Sequence, residues 1–249
     1  MDHNNILGTV LAGGKSQRFG EDKSQVKLAG KLLIDHMLAE IIDEFKELLI
    51  VSNNKISFHN SEKISIIKDY KKGLGPLGGV LSAMKWIKEN HKDYKWIATF
   101  PVDTPFFKRQ IIKDFIKNIN FNESDLFFIK SNNTRHNIFG LWSINLLDKL
   151  EKDLNNGERK VELWANNTGV KIINMEFSNN DPFFNINTKE DLKKAKIKIK
   201  DETIKSVNSL NRVVSTNVYS NINYPAGNNA AFDGYAINSK DTNGLKKNS

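Results

Sequence analysis

Between Thr9 and Lys31 the chain reads TVLAGGKSQRFGEDKSQVKLAGK. A short apolar run leads into Gly13 and Gly14, and Lys15, Arg18 and Lys23 follow closely. Adjacent glycines after a strand let the chain turn tightly and let its amides approach a ligand with no Cβ in the way. Cationic side chains beside such amides suit a phosphate, because Arg forks across two oxygens and Lys brings a point charge. Two common phosphate loops are ruled out: G-x-x-x-x-G-K-[ST] because Glu21 follows Gly20, and G-x-G-x-x-G because the glycines are adjacent. On residue types alone the segment is either a phosphate loop of another kind or a plain turn among surface charges.

Two carboxylates have a similar double reading. Asp69 closes the run KISIIKD, ahead of GLGPLGG, whose Gly75, Gly78 and Gly79 would let a helix N-terminus come close to a ligand. It could equally just end a strand before a Gly-Pro turn. Asp103, in WIATFPVDTPF, lies just past an apolar strand, at the carboxyl end where ligand sites of α/β sheets gather. Asp-x-Pro after a strand is also a common turn.

Such residues need a scaffold, and the pattern up to about Lys196 supplies one. Strand-like runs ILGTVLA, ELLIVSN, KISIIKD, KWIATFP, DLFFIKS, NIFGLWS and VKIINME alternate with helical periodicity over 32–46, 77–90, 106–118, 144–155 and 188–196. Ile34, Leu38, Ile41, Ile42 and Phe45 recur at helical spacing in the first of these. Pro76 and Pro105 sit where first helical turns tolerate proline, and Thr188 with Asp191 reads as a capped start. The expectation is an α/β fold: a Rossmann-like, mostly parallel sheet flanked by helices. A Lys-rich stretch then weakens the apolar pattern, which sets a boundary: a domain over 1–197 and a linker with a short, poorly ordered extension over 198–249.

Composition narrows the function classes. The 249 residues hold no Cys, which excludes disulfides and thiolate metal sites. No apolar run approaches the roughly 20 residues that span a bilayer, and the start of the chain does not read as a secretory leader, so a cytoplasmic protein without membrane contact is expected. The formal charge of +8 is spread along the chain, not clustered with aromatics, so no nucleic-acid partner is expected.

LAGGKSQRFGEDK resembles the L-A-G-G-x-x-x-R-x-G-x-D-K signature of nucleotidyltransferases that activate a phosphorylated small molecule with a nucleoside triphosphate. The resemblance implies that Leu11, Ala12, Gly13 and Gly14 wrap the nucleotide, that Arg18 and Lys23 contact its triphosphate, and that Ser52, Asn54, Asp69 and Gly78 line the same site. It also implies that Asp103 holds Mg²⁺, making Arg18, Lys23 and Asp103 the catalytic set.

In the second half, NIFGLWS, LNNGERKVELWANNTGV and DPFFNINTKEDLKKA are similar to the molybdenum cofactor guanylyltransferases. That similarity implies GMP transfer from GTP to molybdopterin, with Arg159, Lys160, Asn185 and Asn187 on the molybdopterin side. Asn185 and Asn187 also suit a strand end and helix cap. Asn137 stands where many relatives have proline. Cytidylyl transfer to the same cofactor, or a weakly catalytic carrier of it, remain alternatives. Other cofactor-biosynthesis proteins and acceptor molybdoenzymes are the implied protein partners.

The segment from Pro225 to Ala236, with Asn228, Asn229, Ala230, Ala231, Phe232, Asp233, Gly234 and Tyr235, resembles the P-x-x-D-N-S-A-M-D-G-Y-A motif of molybdopterin molybdotransferases. Asn228 and Ala230 depart from that motif, and the sequence stops before that family's catalytic region, so no second activity is expected.

Overall fold

The computed structural model describes residues 5–13, 26–56, 61–177 and 181–198. Its backbone divides into two units, Met1–Lys196 and Ile197–Ser249. The first unit is built on a seven-stranded sheet.

The strands are β1 (Ile6–Leu11), β4 (Leu48–Val51), β5 (Ile64–Ile67), β6 (Trp96–Pro101), β7 (Leu126–Ser131), β8 (Thr134–Ser143) and β9 (Lys171–Met175), ordered β5-β4-β1-β6-β8-β7-β9. A separate two-stranded hairpin joins β2 (Lys27–Leu28) to β3 (Lys31–Leu32). Within the large sheet β5, β4, β1 and β6 run parallel, β8 runs antiparallel to both β6 and β7, and β9 pairs parallel with β7. Strand β1 is buried along its whole length, as expected of an apolar run covered on both faces. Its end aligns Leu11 with Val51 on one side and Pro101 on the other. Val51 in turn aligns with Ile67, so four chain exits share one edge.

Helices α1 (Leu33–Ile41) and α3 (Arg109–Lys117) cover one face, burying Ile34, Met37 and Ile41 together with Ile111, Ile112, Phe115 and Ile116. On the other face lie α2 (Pro76–Glu89), α4 (Leu147–Asn155) and α5 (Val161–Thr168), which bury Leu77, Met84, Leu150, Leu154 and Trp164. Trp142 lies between sheet and helices, its ring stacked on Trp164 at 5.8 Å and its Nε1–H donating to Thr99 Oγ1 at 2.8 Å. Helix α6 (Lys189–Lys198) starts on the expected reciprocal cap: Asp191 N–H donates to Thr188 Oγ1, and Thr188 N–H to Asp191 Oδ2.

The architecture expected from the sequence is the one observed, with local differences. Helix α1 ends at Ile41, and Phe45 is buried from the turn beyond it. Pro76 is in the first turn of α2, whereas Pro105 lies in the turn before α3, which starts at Arg109. Helix α5 and the β2–β3 hairpin had no sequence counterpart, and β8 begins at Thr134 rather than at Asn137. Among the described residues, no helix is long and apolar enough to cross a membrane.

Candidate active site

The site is built where the parallel strands end. Past Leu11 the ladder continues for one bond, with Ala12 N–H donating to Val51 O at 3.0 Å, and the chain then leaves the sheet at the exposed Gly13. Past Val51, Ser52 N–H likewise donates to Ile67 O at 2.9 Å. Asp69 follows β5 and leans toward the first loop: a Cβ placed on Gly13 would lie 3.7 Å from Asp69 Oδ2.

Asp69 is fixed from both sides. Asn53 Nδ2 donates to its Oδ2 at 2.6 Å, and its own N–H donates to Asn53 Oδ1 at 3.3 Å. The next amide, Tyr70 N–H, donates to Ser82 Oγ at 2.8 Å, and that hydroxyl donates to Gly78 O at 2.7 Å within α2. The N-terminus of α2 is thereby tied to the Asp69 loop. Gly75 caps that helix with φ 66°, a left-handed backbone that other residues rarely adopt, and Pro76 starts its first turn. Gly79 lets the helix close on the strand, since a Cβ there would meet Leu11 Cδ2 at 2.9 Å.

The second half of the site centres on Asp103, in the half-buried turn after β6. Its carbonyl accepts from Ile186 N–H at 2.9 Å, which brings the exposed Asn185 and Asn187, on either side of the buried Ile186, to the Asp103 turn. Phe106 and Phe184 pack there at 6.2 Å between ring centres, beside a small core of Val26, Leu28, Leu33, Ile186 and Ala195.

The remaining sequence-derived residues divide in three ways. Gly14, Arg18 and Lys23 lie outside the described residues, as does the Pro225–Ala236 segment. Ser52 is buried and its hydroxyl turns back to the Asn54 backbone at 3.2 Å, so the side chain that reaches Asp69 is that of Asn53. Arg159 donates through Nη1 to Leu154 O at 2.6 Å and to Glu158 O, capping the end of α4; Lys160 occupies the N-cap position of α5 without a side-chain capping bond.

Arg159 and Lys160 nonetheless stand on the carboxyl-edge side. Strand β9 begins beside the start of β7, so α5 runs toward the amino edge and its first turn lies at the other end. That turn is held by Arg135 near the start of β8, which donates to Glu162 O at 3.4 Å and Asn166 Oδ1 at 2.7 Å. Arg135 also donates from Nε to Asn137 Oδ1 at 2.7 Å, so the residue that departs from the expected proline anchors this guanidinium.

Among the described residues no group of three or more His, Cys, Asp or Glu could by itself hold a metal ion. A single half-buried carboxylate offering oxygen ligands is a donor set that fits Mg²⁺, which commonly takes one or two carboxylates plus substrate phosphates and water.

A mostly parallel α/β sheet that gathers chain exits, a helix N-terminus and two carboxylates at its carboxyl edge is the arrangement in which domains of this class place ligands. The family model described as the MobA-like NTP transferase domain matches residues 8–168, and the chain belongs to that family. Its members are nucleotidyltransferases. The molybdenum cofactor guanylyltransferase of Rhizobium rhizogenes is 31% identical over 190 residues, covering 74% of this chain and 87% of that protein. One from Shewanella sp. (strain MR-4) is 28% identical over 187 residues, covering 74% and 92%.

Among solved structures, the molybdopterin-guanine dinucleotide biosynthesis protein A of Archaeoglobus fulgidus superposes with a TM-score of 0.60 at 24% identity, covering 77% of this chain and 97% of that one. The fold is shared with 4-diphosphocytidyl-2C-methyl-D-erythritol synthase of Anaerococcus prevotii, with a TM-score of 0.57 at 12% identity and coverage of 79% and 96%. A second family model, the MoeA N-terminal region (domain I and II), matches residues 186–249.

Proposed function

We propose that the protein transfers GMP from GTP to molybdopterin and releases pyrophosphate. The observation that carries this reading is the convergence of the Gly13 chain exit, Asp69 and the α2 N-terminus on one side of the carboxyl edge, beside the Asp103 turn and the segment bonded to it that carries Asn185 and Asn187. A nucleotide sits on the first side and a phosphorylated acceptor on the second.

The reaction needs placement more than proton transfer. The acceptor's terminal phosphate has a second pKa of about 6, so it is largely ionised at neutral pH without a general base. One of its oxygens bonds to the α-phosphorus of GTP while the bond from that phosphorus to the β-bridging oxygen breaks, and the electron pair leaves with pyrophosphate. The α2 N-terminus lies on the side of the developing negative charge, and the resemblance assigns Arg18 and Lys23 as the cations that would offset it. Asp103 is the residue that would hold Mg²⁺, whose contribution when bound is to offset charge on the triphosphate. Asn185, Asn187, Arg159 and Lys160 would orient the acceptor.

Guanine selection is assigned to Asp69. Its carboxylate, held by Asn53, is an acceptor that matches the N1–H and N2–H donors of guanine, whereas cytosine presents an acceptor at the corresponding ring nitrogen. The relatives named guanylyltransferases favour the same nucleotide. We assign the catalytic domain to residues 1–197, with 198–249 as the extension that follows it.

The test is Asp103→Ala. Pyrophosphate release should fall by at least about a hundredfold, as for loss of an electrostatic transition-state group, while circular dichroism and the melting midpoint stay close to wild type. Substantial turnover in that variant removes Asp103 from the reaction.

A further inference from the structure

The segment over 181–188 is held to the site from two sides. On one, the Ile186 amide bonds the Asp103 carbonyl. On the other, Phe183 is enclosed by rings: His136 stacks on it at 3.9 Å with planes 21° apart, and Phe139 meets it edge-on at 4.8 Å. Phe107, in the chain following Asp103, packs against Phe183 at 6.1 Å and stacks on Phe139 at 4.9 Å. Within this cluster His136 is the polar ring, with Nε2 2.7 Å from Ser131 Oγ on β7. It joins the start of β8 to the segment that bonds the Asp103 turn, yet no step of the transfer uses it.

We propose that His136 is a positioning residue for the Asp103 turn: its ring, stacked on Phe183, keeps 181–188 docked so that Ile186 bonds the Asp103 carbonyl. The catalytic part of this proposal rests on the reading of Asp103 above; the docking part does not. Burial pushes the His136 imidazole below the ordinary histidine range, and Asp181, the charged group of the segment whose field reaches the ring, opposes that shift without overcoming it. Among the described residues, the groups in contact with the ring are the Phe139 and Phe183 rings and the Ser131 hydroxyl, none of which titrates in this range. The ring is therefore neutral near pH 7. Protonation in acid places a charge inside the cluster and loosens the segment.

The test is hydrogen exchange at the Ile186 amide in the full chain, compared among wild type, His136→Ala and His136→Phe, with turnover measured on the same samples. His136→Ala should lower the Ile186 protection factor about tenfold, the loss expected when a stacked ring is removed, and should lower kcat in parallel. His136→Phe keeps a ring that cannot titrate. It should hold protection and kcat near wild type at pH 7, and should lack the fall in protection that wild type shows in acid.

Unchanged protection in His136→Ala overturns the docking role. A His136→Phe variant that loosens like His136→Ala, or follows the wild-type acid profile, overturns the stacking basis. Lower protection with unchanged turnover overturns the positioning role. Should His136→Ala fail to fold, the acid difference between wild type and His136→Phe carries the same test. Asp103→Asn run alongside separates the two readings, because full turnover there is a failure of Asp103's role and not of the docking.

Discussion

Replacing Ser82 with Ala tests how the nucleotide side of the site is held. The Ser82 hydroxyl accepts from Tyr70 N–H at 2.8 Å and donates to Gly78 O at 2.7 Å, and the side chain is buried. Alanine fits the space without strain, so the change removes the hydrogen bonds and little else. The Gly78 carbonyl belongs to a helix and loses a second bond of small value; the Tyr70 amide loses its partner. One such loss costs about 1–2 kcal/mol. For a domain of this size, each kcal/mol moves the melting midpoint by about 2–4 °C, so a fall of roughly 2–8 °C is expected in a thermal melt.

The kinetic consequence is specific. Asp69 immediately precedes Tyr70, so the backbone that carries its carboxylate loses its tie to α2 while the Asp103 turn is untouched. The KM for the nucleotide should rise by roughly threefold to tenfold with kcat within about twofold, the pattern of lost ground-state binding. An unchanged melting midpoint together with an unchanged KM would refute the claim that Ser82 ties α2 to the Asp69 loop. A fall in kcat alone would refute the separation of the site into two sides.

Gly79→Ala sets helix propensity against crowding. Alanine gains about 0.5–1 kcal/mol in a helix, but its Cβ meets Leu11 Cδ2 at 2.9 Å, where the first loop leaves β1. The melting midpoint should stay within about 3 °C while nucleotide KM rises severalfold; unchanged kinetics would show that α2 and the first loop are not in register. Thr188→Ala removes the cap of α6 and should cost about 1 kcal/mol in urea unfolding at pH 7. The Thr188 hydroxyl bond, followed by the amides of Asn187 and Thr188, holds the Asp191 carboxyl below its ordinary value of 3.8, with burial opposing. Its stabilisation is therefore present above that value and lost as pH falls through the folded value. The difference between Thr188→Ala and wild type should accordingly shrink as pH falls below that ordinary value, and a difference that persists undiminished in acid would contradict the carboxylate's part in the cap.

The main strands were legible because they are apolar runs bounded by turn residues, and the parallel order followed from their alternation with helices. Helix α5 was not legible. Its apolar residues fall on different faces, Leu163 exposed beside buried Trp164 and Ala165, and it ends in Asn166, Asn167 and Thr168, which are weak helix formers. The antiparallel β7–β8 pair had an overlooked signal. Asn132 and Asn133 both take positive φ, the requirement of a two-residue hairpin turn, and Asn is among the few residues that tolerate it.

At the site, position along the chain was readable and side-chain direction was not. Asp69 and Asp103 could be placed because strand ends place them. Choosing among Ser52, Asn53 and Asn54 required knowing which side chain turns back on its own backbone, and that is a property of the folded turn. Arg159 is a comparable case, since a basic residue after a helix serves equally as an anion contact or as the cap that the folded chain makes of it.

The measurement that tests the central claim most directly is pyrophosphate release by the purified protein with molybdopterin and Mg²⁺, run in parallel with GTP, CTP and ATP. The account predicts release with GTP and formation of a guanine dinucleotide product, with CTP and ATP near background. Release with CTP in place of GTP would contradict the guanine assignment at Asp69, and no release with any nucleotide from folded protein would contradict nucleotidyl transfer to molybdopterin itself.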